Sequence, residues 1–168
     1  MGILSGKAWL FGDHVDTDAI IPARYCNTID PVELGSHAMA GLDPGFAGKV
    51  TRGDIVVGGE NFGCGSSRET APIALLGAGI GAVVAVSFGR IFFRNCINVG
   101  LPIFESSQAA GNCREGDQLS IFPEDGRLVN ETLGASYQLA EYPRQILDII
   151  EAGGMVPYVR RRLGLPPQ

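Results

Sequence analysis

Lysine is nearly absent from this 168-residue chain, which has only Lys7 and Lys49. A P-loop needs a lysine after its last glycine to reach the phosphates. Gly58 and Gly63 have the right separation, but Cys64 stands where that lysine would be, so nucleoside triphosphate binding is disfavoured. Basic runs are equally scarce. Arg160-Arg161-Arg162 is the single cluster in a chain of net charge −5, which argues against nucleic acid as a partner. Three arginines closing a helix complement the negative end of its dipole. The four cysteines, Cys26, Cys64, Cys96 and Cys113, contain no C-x-x-C, so no metal site and no thioredoxin-like redox pair is indicated. Free thiols fit a reducing, cytoplasmic setting. Long apolar runs are missing too. The longest, Ile80 to Phe88, falls well short of the roughly 20 residues that span a bilayer, and Met1 to Phe11 lacks the features of a signal peptide. No membrane association is expected.

Hydrophobic residues make up 45% of the chain and charged residues 18%, the balance of a folded soluble core, and the length suits one domain over residues 1–168. Glycine is abundant, at 24 residues without a collagen period, which predicts many tight turns. Lys7 to Phe11 reads as a first strand, ended by Gly12 and Asp13. Asp16-Thr17-Asp18 reads as a turn or helix cap, and Ile20-Ile21-Pro22 as extended chain. Asp30-Pro31-Val32-Glu33 has the N-cap, N1 proline and early acid of a helix start, with the helix running to about Ala40. Ile55 to Gly59 and Ala82 to Ser87 read as buried strands. Ser67 to Leu76 and Arg90 to Asn98 read as helices, and Leu101 to Phe104 as another strand. Pro72 must then lie in the first turn of its helix or kink it. This order predicts a parallel α/β core with right-handed crossovers.

Beyond it, Asp117 to Phe122, Arg127 to Glu131 and Ala135 to Leu139 read as an antiparallel meander. Helices follow over Tyr142 to Ala152 and Met155 to Leu163. The fold class is therefore α/β, a layered β/β/α arrangement whose core sheet contains parallel strands. Gly77-Ala78-Gly79-Ile80-Gly81-Ala82 satisfies G-x-G-x-x-A, but here the glycines follow a helix and open a strand. They read as a helix stop, since a pyrophosphate would meet no helix N-terminus there.

The stretch Gly59-Glu60-Asn61-Phe62-Gly63-Cys64-Gly65-Ser66-Ser67-Arg68-Glu69 carries the chemistry. Glycines allow tight turning; two hydroxyls and a guanidinium then meet the start of a helix, where free N–H groups favour an anion. A capping box would explain Ser66 and Glu69, but not Arg68 or the three glycines, and capping is compatible with anion binding. The pattern points to the gripping of a small carboxylate, with a serine oxygen available as a base. Cys64 is the alternative nucleophile. It would need His14 or His37 beside it, and it reads better as a small residue packed in a tight loop. His37 reads as an ordinary helix-surface or capping residue.

The glycine loop, followed by S-F-G-R-I-F-F-R-N-C-I-N-V-G-L-P (Ser87 to Pro102) and preceded by D-T-D-A-I-I-P (Asp16 to Pro22), resembles the small subunits of isopropylmalate dehydratases. The likeness runs from Gly6 to about Arg162 and extends to the mobile swivel domain of the aconitase superfamily. The resemblance implies a hydro-lyase half-site, active only with a large subunit. That partner carries a [4Fe-4S] cluster whose open iron acts as a Lewis acid, while the small subunit contributes a serine base. On this sequence Ser66 matches the base. Ser67 and Arg68 match the groups that hold a substrate carboxylate, and Asp18, with its neighbour Thr17, matches the active-site aspartate motif. The chain has no clustered cysteines of the cluster-binding kind, so no cluster is expected on it.

In the family, the loop after D-T-D-x-I-x-P touches the variable group of the substrate; here it supplies Cys26, Asn27 and Thr28, with Arg24 nearby. Homoaconitase-like members carry arginine where this chain has Asn27, which lacks the charge to hold a third carboxylate. A dicarboxylate with a small alkyl substituent, isopropylmalate or dimethylmalate, is expected over homoaconitate. The expected partners are thus a large subunit and a small dicarboxylate, with self-association of the isolated chain. A non-catalytic anion-binding regulatory module is the reading of another class.

Overall fold

Glycine, proline and aspartate cut this chain into short elements, and a long-range sheet collects them. The computed structural model describes residues 1–166. Strand β1 (Leu4–Leu10) serves two partners. Leu4 to Lys7 pairs antiparallel with β5 (Gln118–Phe122), whereas Ala8 to Leu10 pairs parallel with β2 (Ile55–Gly58). From β2 the sheet continues parallel through β3 (Ala82–Ala85) to β4 (Ile103–Glu105). From β5 it continues antiparallel through β6 (Arg127–Asn130) to β7 (Ala135–Gln138), giving the order β4-β3-β2-β1-β5-β6-β7. The parallel core and the antiparallel meander are as expected. β1 starts earlier than the apolar run suggested because residues 4–6 are held by β5, more than a hundred residues away.

Strands β2 and β3 are buried along their whole length, as a parallel sheet covered on both faces requires. On one face Ile55, Val57, Ala82, Val84 and Phe104 share a core with Leu119, Ile121 and Leu128, so the antiparallel half curls back over the parallel half. On the other face Val56, Val83, Ala85 and Ile103 pack with Leu34, Leu75 and Phe92. These come from α2 (Pro31–Gly35), α3 (Thr70–Gly77) and α4 (Arg90–Val99). The layers are β/β/α. Helices α6 (Arg144–Glu151) and α7 (Met155–Arg162) close the chain near their expected bounds. Among the described residues no helix is long and apolar enough to cross a membrane.

Two helices differ from expectation. α2 stops at Gly35 rather than Ala40. Met39 takes a left-handed φ of 57°, its N–H donates to the Ile20 carbonyl (2.6 Å), and Gly41 donates to Ala19 (3.0 Å), so tertiary bonds win over helix continuation. α3 begins at Thr70 rather than Ser67. Pro72, its third residue, falls in the first turn, where no N–H is missed. Ser66 is therefore not an N-cap and no capping box forms; Glu69 holds the cap position without a side-chain bond. Two further short helices lie in connections between strands, one after β1 and one after β4. α1 (Thr17–Ile20) is capped by Asp16, which accepts from Ala19 N–H, and α5 (Ser107–Asn112), not foreseen, is capped by Ser106.

The antiparallel half is locked by a buried polar pair. Asn130 Nδ2 donates to Asp117 Oδ2 (2.6 Å), which also accepts from Arg114 N–H (2.8 Å), while Asn130 Oδ1 accepts from Leu133 N–H (3.0 Å). The Asn130 amide, then the Arg114 N–H, holds the Asp117 carboxyl below its ordinary range. Asn130→Ala should lower stability at pH 7 by about 1–3 kcal/mol, measured by urea denaturation, because it strips partners from buried groups. A depressed folded-state pKa stabilises above the ordinary carboxylate value and ceases to do so as pH falls through the depressed one. The gap between wild type and variant should therefore narrow from about pH 5 toward pH 2; a gap that stays constant would remove the carboxylate from this account.

Candidate active site

Three loops meet at the C-terminal edge of the parallel strands, the end where open α/β sheets bind ligands. The loop after β1 runs beside the glycine loop after β2 as a continued parallel ladder. Gly59 N–H donates to Gly12 (3.1 Å), His14 to Glu60 (2.8 Å), Gly63 to Val15 (2.7 Å) and Thr17 to Cys64 (2.9 Å). On the other flank the loop after β3 joins it: Phe62 donates to Ser87 (2.9 Å), and Gly89 to Phe62 (2.9 Å). Phe62, fully buried, packs edge-on against Phe88 and Phe92 and anchors the loop in the core. Gly63, at φ 76°, has no room for a Cβ because the Phe92 ring occupies that space. A Cβ on Gly89 would come within 2.7 Å of the Gly63 carbonyl. Glycine is therefore a packing requirement at both positions, beyond any role in substrate approach.

Past this anchor, Gly65 turns at φ 98° and lifts Ser66 and Ser67 to the surface. Ser66 Oγ lies 3.1 Å from Thr17 Oγ1, which is also 3.2 Å from the Ser66 carbonyl. Thr17 is 2% exposed, so a buried hydroxyl supports an exposed one. A threonine hydroxyl has one proton; given to the Ser66 carbonyl, it leaves Thr17 Oγ1 to accept from Ser66. Arg68 N–H donates to the Ser66 carbonyl (2.9 Å), closing the turn ahead of α3. Its guanidinium pairs through Nη1 with Asp18 Oδ1 at 2.6 Å, the two side chains being 34% and 59% exposed. Arg68 keeps further N–H donors beyond that contact.

The Ala23–Tyr25 turn and the residues after it form a fourth strip beside α3. Cys26 Sγ accepts from Thr70 Oγ1 (3.4 Å) and points its own S–H toward the Ile21 and Pro22 carbonyls. Arg24 is exposed and lies over the Tyr25 ring, 4.7 Å from its centroid. Asn27 is exposed, and Thr28 Oγ1 accepts from Asp30 N–H (3.1 Å), so its hydroxyl shapes the loop. The fold thus joins Thr17, Asp18, Ser66 and Arg68 directly and sets Cys26 against the first residue of α3. Arg24, Asn27 and Thr28 make no hydrogen bond to Ser66 or Arg68 among the described residues.

Sequence reading missed two features. Phe62, Phe88 and Phe92 anchor the loop, signalled only by aromatics flanking glycines. His37 is no plain helix-surface residue; it lies beyond the end of α2 and stacks on Tyr25 with ring centroids 3.8 Å apart. Cys64 Sγ donates to the His14 carbonyl (3.5 Å), a structural contact in which the imidazole takes no part. Burial pushes the thiols of Cys96 and Cys113 up, in Cys96 well above the ordinary value. Among the described residues no group of three or more His, Cys, Asp or Glu side chains is placed to hold a metal.

Residues 47–108 match the family model described as the aconitase C-terminal domain. The chain is 55% identical over 161 residues to a 3-isopropylmalate dehydratase small subunit of Moorella thermoacetica, covering 96% of this chain and 97% of that one. It is 50% identical to an isopropylmalate/citramalate isomerase small subunit of Methanocaldococcus jannaschii, with 96% of each chain covered. A crystal structure of 3-isopropylmalate dehydratase from the same organism superposes with a TM-score of 0.91 at 46% identity, again over 96% of each chain. Identity of 50–55% over 96% of the chain settles its kinship, and the chain belongs to the family of 3-isopropylmalate dehydratase small subunits.

Proposed function

We propose that this chain is the proton-transfer and carboxylate-binding half of a two-chain cytoplasmic hydro-lyase that acts on 3-isopropylmalate in leucine biosynthesis. The observation that carries the reading is Ser66: an exposed hydroxyl at the C-terminal strand edge, held by buried Thr17 and flanked by Arg68. In this reading Ser66 Oγ, as alkoxide, takes the proton from the carbon next to a carboxylate. The electron pair left behind becomes the new C=C bond as hydroxide departs from the neighbouring carbon. In the reverse direction Ser66 returns the proton.

A serine alkoxide is strongly basic in water, so the site must stabilise it. Thr17 Oγ1 can turn its proton from the Ser66 carbonyl to the alkoxide, and Arg68 adds positive potential; both gain strength once a partner surface excludes water. Ser67 Oγ and the free N–H groups of Arg68 hold the substrate carboxylate, and Asp18 keeps the guanidinium in place.

The family's small subunits imply a large-subunit partner, and we assign the [4Fe-4S] cluster to that chain. Cys26 and Cys64 lie on separate loops and Cys96 and Cys113 are buried, so this chain's own thiols do not fit a cluster. Substrate choice is assigned to Cys26, Asn27 and Thr28, and Arg24 beside them to a substrate carboxylate. Asn27 offers an amide where a third carboxylate would need a guanidinium, which favours a small alkyl group. The isopropylmalate/citramalate relative supports a methyl group as a second acceptable substituent.

Ser66→Ala should lower kcat of the reconstituted complex about 10²–10⁴-fold, the range of a lost acid–base group, with KM and subunit assembly retained. A kcat near wild type would take the base role from Ser66. The isolated chain should have no dehydratase activity. With its large subunit, kcat/KM for 3-isopropylmalate should exceed that for homoaconitate by about 10²-fold or more. The reverse order would overturn the substrate assignment.

A further inference from the structure

We infer that His37 is a positioning residue for substrate binding: through Tyr25, its imidazole holds the Arg24 guanidinium in place for a substrate carboxylate. This rests on the assignment of Arg24 to substrate binding made above. Arg24, on the exposed Ala23–Tyr25 turn, has a rotamer-rich side chain that free solution would leave unordered. Its guanidinium instead lies over the Tyr25 ring at 4.7 Å, and Tyr25 stacks on the His37 imidazole at 3.8 Å with an interplanar angle of 9°. An imidazole so close and so nearly parallel fills one face of the tyrosine and leaves the other to the guanidinium.

The base of this stack is rigid. His37 N–H donates to the Leu34 carbonyl (3.1 Å) and its own carbonyl accepts from Ala40 (3.1 Å). On either side Leu34, Ala38 and Met39 are buried, and Met39 and Gly41 are bonded to Ile20 and Ala19. The same segment that ends α2 early therefore ties the stack to α1, which carries Thr17 and Asp18. The turn bearing Arg24 is pinned at its far end by Cys26 against Thr70. A half-buried ring on a segment held by tertiary bonds thus pre-sets an otherwise free surface guanidinium, which lowers the ordering cost of binding.

The test uses the reconstituted two-subunit enzyme with 3-isopropylmalate. Arg24→Ala should raise KM at least about tenfold. His37→Ala should raise KM about three- to tenfold with kcat within about twofold, and the double variant should do no worse than Arg24→Ala, since both act on one contact. His37→Phe, which keeps a flat ring, should return KM to within about twofold of wild type. Thermal midpoint and co-purification with the large subunit, followed for each variant, report folding and assembly separately. A normal KM for His37→Ala beside an impaired Arg24→Ala overturns the positioning role. So does failure of His37→Phe to rescue while the fold is retained. A normal KM for Arg24→Ala overturns the Arg24 assignment itself.

Discussion

The site depends on a ladder that outlasts its strands. Where β1 and β2 end, their loops stay in parallel register, and backbone bonds from Gly59–Gly12 to Thr17–Cys64 carry the pairing across the edge of the sheet. This ladder sets buried Thr17 beneath Ser66 and turns Asp18 toward Arg68. A loop of glycines and serines would otherwise be the most mobile part of the chain. It is held because Gly59, Glu60, Phe62, Gly63 and Cys64 each share a backbone bond with the segments that follow β1 and β3.

Burial is divided accordingly. Phe62 fills the core beneath the loop, and the glycines around it let backbone pass where side chains would collide with Phe92 and Gly63. Above that plane the polar groups face solvent: Ser66, Ser67, and the half-exposed Arg68–Asp18 pair. Partial exposure keeps this ion pair weak, which in the proposed reading leaves Arg68 able to share its charge with a carboxylate instead of being fully committed to Asp18. An open, polar, preorganised surface is what one half of a divided site needs. The rigidity sits in the framework, and in the proposed reading desolvation is left to the partner chain.

Much of this fold was legible in the residues themselves. The buried runs Ile55–Gly58 and Ala82–Ala85, the Asp30-Pro31 helix start and the late meander declare themselves through burial pattern, capping chemistry and turn glycines. The start of α3 was not legible, because Ser66, Ser67 and Glu69 satisfy the local pattern of a cap. What displaced the helix was the capture of the Ser66 carbonyl by Arg68 and Thr17. The early end of α2 has the same cause: bonds from Met39 and Gly41 to a distant segment outweigh helix propensity.

For this protein the sequence alone determined which residue types are present and in what order: three motifs, no lysine for phosphates, no cysteine cluster, and enough β-branched residue to build a parallel sheet. Those follow from chemistry that each segment carries locally. Tertiary structure alone decided which of those residues touch. That Thr17 supports Ser66, that Asp18 holds Arg68, and that His37 lies under Tyr25 are contacts between segments with no local preference for one another. They arise only when the sheet, by pairing strands far apart in the chain, brings their loops to one edge.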